Sequence, residues 1–353
     1  MKKLLLSIVM AGAMNLTANA QGSPWFQNVK FSGYGMVQYQ ASDKENAETN
    51  GFNLRLVRMA LEGRAHKDFY WKAQMQISGN TFDPDKSKTD IRLVDLFGEW
   101  QKYEFLRIKA GQFKRPFTFE NPMHPITQGF MGYSQNVSAL AGFSDRTGAH
   151  ASNGRDIGVQ IQGDMLWLEE RPLFHYQVGV FNGEGINQKD LDNRKDIIGG
   201  FWVMPIEGLR LGAFGWTGST YMNITDVNGN TTKRSVGKNR YAISAEYAKN
   251  DWTIRSEYIH SQGFTGDIKK GDKADGIYAL AIAPIVKNKF HVKARYDLYR
   301  EQKDWQSSKT LYEVGADYMF TKNLQLNLEY ARVNERKNHS NYNMVDVELD
   351  FRF

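Results

Sequence analysis

After its first twenty residues, the chain repeatedly alternates apolar and polar residues with a period of two. In Val345 to Phe353, five apolar residues alternate with Asp346, Glu348, Asp350 and Arg352. Successive side chains of a β-strand point to opposite faces, so this segment has one apolar face and one charged face. Similar alternation occurs over 69–78, 290–299, 311–320 and 324–331. The pattern predicts an all-β protein whose strands each present one face to an apolar environment.

Short and long connectors alternate between these segments. Seven connectors are tight turns, and they lie near 65–68, 101–105, 164–172, 205–209, 248–251, 286–289 and 321–323. Eight are longer and polar, and they lie near 41–51, 80–89, 113–154, 182–195, 218–238, 261–274, 301–309 and 334–341. Together they predict sixteen strands, with both ends of the chain on the side of the tight turns.

Strands of about 9 to 11 residues, with short turns on one side and longer loops on the other, are typical of bacterial outer-membrane barrels. A closed antiparallel barrel gives every backbone N–H and C=O a partner within hydrocarbon. The mean hydropathy of −0.56 agrees with one apolar face per strand. We therefore predict a sixteen-stranded antiparallel transmembrane β-barrel, which is wide enough to leave an aqueous channel.

Two alternatives from other classes are a soluble all-β binding protein and an outer-membrane barrel enzyme such as a protease or lipase. The aromatic content of 13% argues against a soluble sandwich. Many aromatic residues lie at strand ends, where they suit the two aromatic girdles of a membrane barrel. These are Tyr34, Tyr39, Trp71, Trp100, Tyr176, Trp252, Tyr258, Tyr318 and Phe353.

The N-terminus has the pattern of a secretory signal peptide. Lys2 and Lys3 precede an apolar run over 4–14, and Ala18-Asn19-Ala20 supplies the small residues of a cleavage site. We predict a signal peptide over 1–20 and a barrel domain over 21–353. The chain has no cysteine, so no disulfide supports the fold. Without the two signal lysines the net charge falls from +6 to about +4, which does not indicate a nucleic-acid partner.

No catalytic or metal-binding motif emerges from the sequence. Residues 83–94 begin like a calcium loop, but Lys88 and Val94 replace the glycine and the closing glutamate. Gly33 and Gly35 lie in a strand with no following helix, so they do not form a phosphate loop. The seven histidines lack metal-ligand spacing, and no serine lies in a nucleophile elbow. We predict no cofactor, no metal and no enzymatic activity.

Three segments resemble signature elements of the phosphate-selective porin O/P family. They are IKAGQFKRPFTFE at 108–120, GRDIGVQIQG at 154–163 and YQVGVFNGEGIN at 176–187. The resemblance implies a homotrimeric porin in the Gram-negative outer membrane, whose third outside loop folds into the lumen and whose solutes are phosphate or other small anions. It also implies outer-membrane lipid and the barrel-insertion machinery as partners, with Phe353 as the assembly signal.

The residues themselves also single out the third loop. Pro116 and Pro122 end the hydrogen-bonded ladder after the fifth strand, because proline has no N–H to donate. The connector from there to Gly154 is the longest in the chain, and such long loops are usually functional. The alternative is an exposed surface loop.

Alternation assigns the charged residues to the lumen. The predicted basic anion path consists of Arg55, Lys72, Arg107 and Lys109 on strands two to five, together with Lys114 and Arg115 where the third loop begins. Arg58 joins it if a bulge shifts the parity after Leu56. The predicted acidic wall consists of Glu313, Asp317, Glu329, Asp346, Glu348 and Asp350. A basic stretch at the narrowest section would favour anions. The alternatives are a general pore, in which the acidic wall balances the basic one, and charges that only keep the channel hydrated.

Overall fold

The computed structural model describes residues 27–77, 91–142, 153–225, 229–263 and 273–353. The predicted signal peptide over 1–20 lies outside the described residues, as does the rejected calcium loop except for its last residues.

Sixteen strands form one closed antiparallel barrel, in which each strand pairs with its neighbours in sequence and β1 pairs with β16. The first eight strands are β1 (Gln27–Ser42), β2 (Thr49–His66), β3 (Phe69–Gln76), β4 (Arg92–Tyr103), β5 (Leu106–Lys114), β6 (Arg155–Leu168), β7 (Arg171–Phe181) and β8 (Asp196–Val203). The others are β9 (Leu209–Thr225), β10 (Thr231–Lys249), β11 (Trp252–Gly263), β12 (Lys273–Val286), β13 (Phe290–Arg300), β14 (Ser308–Thr321), β15 (Leu324–Glu335) and β16 (Ser340–Arg352). The predicted fold class and strand number are confirmed.

The connectors alternate between short and long, as the sequence predicts, but several strands are longer than the predicted 9 to 11 residues. The hairpin of β9 and β10 is the clearest case, because its strands have 17 and 19 residues and occupy most of the predicted loop over 218–238. A polar hairpin continues its backbone ladder above the membrane, where alternation of apolar and polar residues is no longer required. The pattern of apolar and polar residues therefore did not predict where β9 and β10 end.

The two faces of the barrel wall have opposite character. Apolar side chains such as Ile243, Ile254, Val314 and Leu328 are exposed, and they alternate with buried charged side chains. In a closed barrel, the exposed apolar face is the outside and the buried charged face is turned toward the axis. We refer to the latter as the polar face.

Exposed aromatic residues lie near both edges of the outer surface. Trp167, Trp252, Phe320 and Phe353 lie beside the short turns, while Phe52 and Tyr312 lie nearer the long loops. This arrangement matches two interfacial girdles. Tyr34 does not take part, because it is only 4% exposed and lies on the polar face.

The only helix among the described residues is α1 (Gln135–Leu140), in the third outside loop. In the described part of the chain, no helix has the length and apolar character needed to cross a membrane.

Candidate functional site: the polar face and the third loop

The third loop, residues 115–154, follows β5 and is described over 115–142 and 153–154. Its backbone N–H groups donate to carboxylates of the polar face on three strands. Glu257 of β11 accepts from Phe119 at 2.7 Å and from Glu120 at 2.8 Å. The N–H of Met131 donates to Glu329 of β15 at 2.9 Å, and that of Gln135 donates to Asp297 of β13 at 2.8 Å.

Cations of the polar face bind carbonyl oxygens of the same loop. The Lys293 ammonium donates to the Gly129 carbonyl at 2.9 Å, and the Arg295 guanidinium donates to the Gly132 carbonyl at 2.8 Å. Further contacts of this kind join Arg240 to Leu140, Arg255 to Gln128 and Arg55 to Met131. Hydrogen bonds to charged groups are stronger than neutral ones, so these bonds from both carboxylates and cations hold the loop backbone against β2, β10, β11, β13 and β15.

An aromatic cluster holds the start of the third loop. Phe117 and Phe119 are at most 2% exposed, and their rings contact Phe214 and Trp216 of β9, with centroid separations of 5.5–6.4 Å. Edge-to-face contacts of this kind stabilise packing beyond the area they bury. The sequence element QFKRPFTFE thus places two phenylalanines where they anchor the loop against β9.

Within the third loop, burial shifts the pKa of two side chains. Burial raises the pKa of Glu120, although the nearby Arg255 and Arg295 oppose this shift. Burial lowers the pKa of His124 to about 3, and the cations Arg352, Lys114 and Arg58 lower it further. His124 is therefore neutral at physiological pH.

Most of the predicted basic residues form ion pairs within the wall. Arg55 bonds to Glu348 at 2.8 Å, Lys72 lies 3.9 Å from Glu62, and Arg107 bonds to Asp164 at 2.5 Å. Lys109 lies 3.6 Å from Glu99, and Arg115 bonds to Asp156 at 2.8 Å. Arg115 is only 3% exposed, and its guanidinium also donates to the Gly142 carbonyl.

Lys114 and Arg58 differ from the other cations. The Lys114 ammonium donates to the Met123 carbonyl at 2.5 Å and to the Tyr133 hydroxyl at 2.9 Å. Arg58 donates to Tyr34 at 3.1 Å and to Gln76 at 3.0 Å. Among the described residues, neither cation forms an ion pair with a carboxylate. The two charges lie close enough to disfavour protonation of His124.

Arg58 reaches the polar face because of a β-bulge. Met36 pairs with Leu56 and Val37 pairs with Leu54, so Arg55 is an extra residue on β2. Such a bulge reverses the parity of the following residues. The condition stated for Arg58 is met, with the bulge at Arg55 rather than after Leu56.

The predicted acidic residues also lie on the polar face, and four of the six pair with a basic side chain. Glu313 pairs with Arg295, Asp317 with His291, and Glu329 with Lys293. Asp346 accepts from the amides of Gln38 and Gln40, and Asp350 accepts from Asn327. Asp346 and Asp350 therefore have amide partners, whereas each of the other four acids has a basic side chain as its partner.

Several polar-face residues that contact the third loop were not among the predicted site residues. They are Lys293, Arg295, Asp297, Arg255, Glu257 and Arg240. The signal was present, because HVKARYDLYR alternates its charged residues on one face as clearly as the terminal strand does. What the pattern could not provide was the set of strands that the third loop contacts.

Comparisons with known proteins agree with this architecture. Residues 32–184 match the family model described as phosphate-selective porin O and P. The predicted family resemblance is confirmed over these residues. They include most of β1, all of β2 to β7, the third loop and the signature segments except for the last residues of the third. Among curated protein sequences, none matches the chain significantly.

Solved porin structures share the fold at low sequence identity. An anion-selective porin from Comamonas acidovorans has 15% identity and a TM-score of 0.64, covering 92% of this chain and 99% of its own. In-vitro folded OmpT of Vibrio cholerae in its trimer form has 14% identity and a TM-score of 0.61, with the same coverages. OmpF of Salmonella typhi, in complex with daunomycin, has 11% identity and a TM-score of 0.66, covering 94% and 98%.

The family match, the closed barrel and its apolar exterior locate the protein in the outer membrane of Gram-negative bacteria. The same findings indicate a channel rather than an enzyme.

Proposed function

We propose that this chain is a passive porin for small hydrophilic solutes, that it prefers small anions such as phosphate, and that its third loop folds into the lumen as the constriction. The contacts of 117–140 with charged side chains of the polar face support the inward position of the loop. The proposed anion path retains the six basic residues named from the sequence, and Arg58 is added to them.

The observation that carries the anion preference is the pair Lys114 and Arg58. Charges that are already neutralised by a carboxylate bind a passing ion weakly, whereas these two cations hold only neutral partners among the described residues. A permeating anion would replace part of its hydration by charge-assisted hydrogen bonds from both groups. Reduced hydration beside the loop strengthens their attraction for it.

A general pore with little preference is the second candidate. It is favoured by Asp346 and Asp350, which accept hydrogen bonds from amides and form no ion pair with a cation among the described residues. These carboxylates would attract cations and balance the basic pair if they lie equally close to the axis.

The zero-current potential across a salt gradient separates the two candidates. The unmodified protein in a planar bilayer should show chloride passing faster than potassium, and added phosphate should reduce the chloride current. Lys114→Glu should lower the selectivity, while Lys322→Glu in a short turn should not. Cation selectivity in the unmodified protein would overturn the anion proposal.

We also propose a homotrimer, which the family resemblance implies and the trimeric form of OmpT supports. Cross-linking of the protein in native membranes tests this assembly. A ladder that ends at three subunits is expected, and a monomer that resists cross-linking at all reagent concentrations would contradict it.

A further inference from the structure

The outer ends of β13 to β16 form a pocket whose lining shares no residue with the proposed anion path. It lies between the connector over 301–307 and the connector over 336–339, and it has a volume of about 740 Å³. This size is within the range of small-ligand sites. The pocket belongs to the side of the long loops, which faces the exterior of the cell in an outer-membrane barrel.

Hydrogen bonds within the loops give the pocket a defined shape. The N–H of Ser307 donates to the Asp304 carboxylate at 2.7 Å, and the N–H of Gln302 donates to the Ser307 hydroxyl at 3.0 Å. The N–H of Arg336 donates to the Ser308 carbonyl at 3.0 Å, which joins the connector over 336–339 to the first residue of β14. A site that is already ordered loses less conformational entropy when a ligand binds.

Trp305 lines the pocket and is 54% exposed. The guanidinium carbons of Arg300 and Arg336 lie 5.3 and 5.5 Å from its ring centroid. Arg300 is held by the Asp275 carboxylate, whereas Arg336 forms no ion pair with a carboxylate among the described residues. The pocket therefore offers a large apolar ring beside one cation that is available to a ligand.

The rest of the lining combines four carboxamides with charged side chains, which are Asp304, Glu335 and Lys337. Gln302, Gln306, Asn334 and Asn341 all contribute to the pocket. Each carboxamide supplies donors and an acceptor in one plane, and this combination suits the adjacent hydroxyls of a sugar. The carbon-bound face of a sugar ring packs on an indole as other apolar surfaces do. A guanidinium adds charge-assisted hydrogen bonds to a phosphate or carboxylate.

From this combination we infer that the pocket binds an acidic saccharide, with Trp305 as the stacking platform and Arg336 as the partner of its anionic group. The site is separate from the anion path, so the inference does not depend on the selectivity of the pore. Two sources can supply this chemistry on the outer side of the membrane. One is the phosphorylated sugar core of lipopolysaccharide, and the other is a free acidic oligosaccharide.

Isothermal titration of the full purified barrel in detergent tests the site. The probes are delipidated phosphorylated core oligosaccharide from the expression strain, the same core after dephosphorylation, and tetragalacturonate. Trp305→Ala should weaken binding by about tenfold or more, because it removes the stacking platform. A tenfold loss of affinity corresponds to about 1.4 kcal/mol of binding free energy. Arg336→Gln should weaken binding of the charged probes and leave the dephosphorylated core nearly unchanged.

Two variants at the opposite rim serve as matched controls. Trp252→Ala removes a tryptophan of similar exposure, and Lys322→Gln removes an exposed cation, so neither should alter binding. Binding of the phosphorylated core without binding of tetragalacturonate supports the site and assigns it to lipopolysaccharide, while binding of tetragalacturonate supports the site and assigns it to free oligosaccharides. Binding of no probe, or binding that neither pocket variant weakens, overturns the inference. If Trp305→Ala fails to fold, Arg336→Gln and Gln306→Ala decide the outcome.

Discussion

Gly33 of β1 and Phe353 at the C-terminus are joined by two backbone hydrogen bonds and by direct packing. The N–H of Gly33 donates to the Phe353 carbonyl at 2.8 Å, and the N–H of Phe353 donates to the Gly33 carbonyl at 3.0 Å. A Cβ atom at Gly33 would lie 2.4 Å from the Phe353 ring. Gly35 is covered by Phe351 in the same way. The glycines of the GYG element therefore leave the space in which the terminal aromatic rings close the barrel.

Gly33→Ala should destabilise this closure. The added methyl group would meet the Phe353 ring and the Arg58 carbonyl oxygen, which lies 2.9 Å away. Overpacking of this kind costs about 1–3 kcal/mol. We expect a lower midpoint of urea unfolding, followed by tryptophan fluorescence. Gly51→Ala is the matched control, because a Cβ there has no neighbour within 4 Å. Equal midpoints for the two variants would show that the ring moves aside freely.

Deletion of Phe353 should reduce the amount of folded barrel without changing the pore. The residue is 51% exposed on the outer surface at the turn-side rim, away from the polar face, and its ring suits the membrane interface there. The folded fraction is measured from the heat-dependent shift in gel mobility of membrane extracts. Single-channel conductance of the surviving barrels should equal that of the unmodified protein. Changed conductance at normal yield would contradict the assembly role.

Cysteine pairing tests the inward position of the third loop. Asn136 of α1 donates to the carbonyl oxygens of Glu257 and Gly276, and a Cβ at Gly276 would lie 2.6 Å from that of Asn136. Disulfides require a Cβ separation of about 3.5–4.5 Å, so a small shift of the loop allows a bond. The chain has no other cysteine. We expect Asn136→Cys with Gly276→Cys to cross-link under mild oxidation, as detected by mass spectrometry of peptides.

The control pair is Asn136→Cys with Gly51→Cys. Gly51 lies at the start of β2, and this pair should not cross-link. A folded barrel whose 136–276 pair stays reduced while single cysteines react with a small thiol reagent would place the loop elsewhere.

Glu184, in the connector between β7 and β8, should make stability depend on pH. Burial raises its pKa to about 7 from an ordinary value of 4.5. The neighbouring Lys238 lowers the pKa, and Asp192, Asp156 and Asp196 raise it. The folded protein therefore binds this proton more tightly than the unfolded chain does. The resulting stability is fully present below the ordinary pKa and is lost as the pH rises through about 7.

The urea midpoint of the unmodified protein is measured at pH 5 and at pH 8. Glu184 should stabilise the fold more at pH 5, because the stability that its bound proton provides is lost by pH 8. Glu184→Gln should reduce the difference between the two midpoints, because the amide does not titrate. Glu45→Gln, an exposed position in the first outside loop, should leave it unchanged. An undiminished difference in Glu184→Gln would assign the pH dependence to other groups.

The sequence by itself determined the barrel. A period of two with one apolar face follows directly from strand geometry, and the alternation of seven short and eight long connectors determined the number of strands. The physical reason is that each strand must satisfy lipid on one face, and this requirement acts on every residue locally. The resemblance of three short segments was enough to indicate the family.

Only the tertiary structure decided what each charged residue does. Alternation placed Arg55 and Lys109 on the polar face, but it could not show that each pairs with a carboxylate from another strand. Nor could it show that Lys114 and Arg58 form no such pair among the described residues. It also could not show that GYG leaves space for Phe353, or that Glu257 holds the third loop. These relationships join residues that are far apart in sequence, and they depend on register, on a bulge and on loop packing, none of which a local pattern specifies.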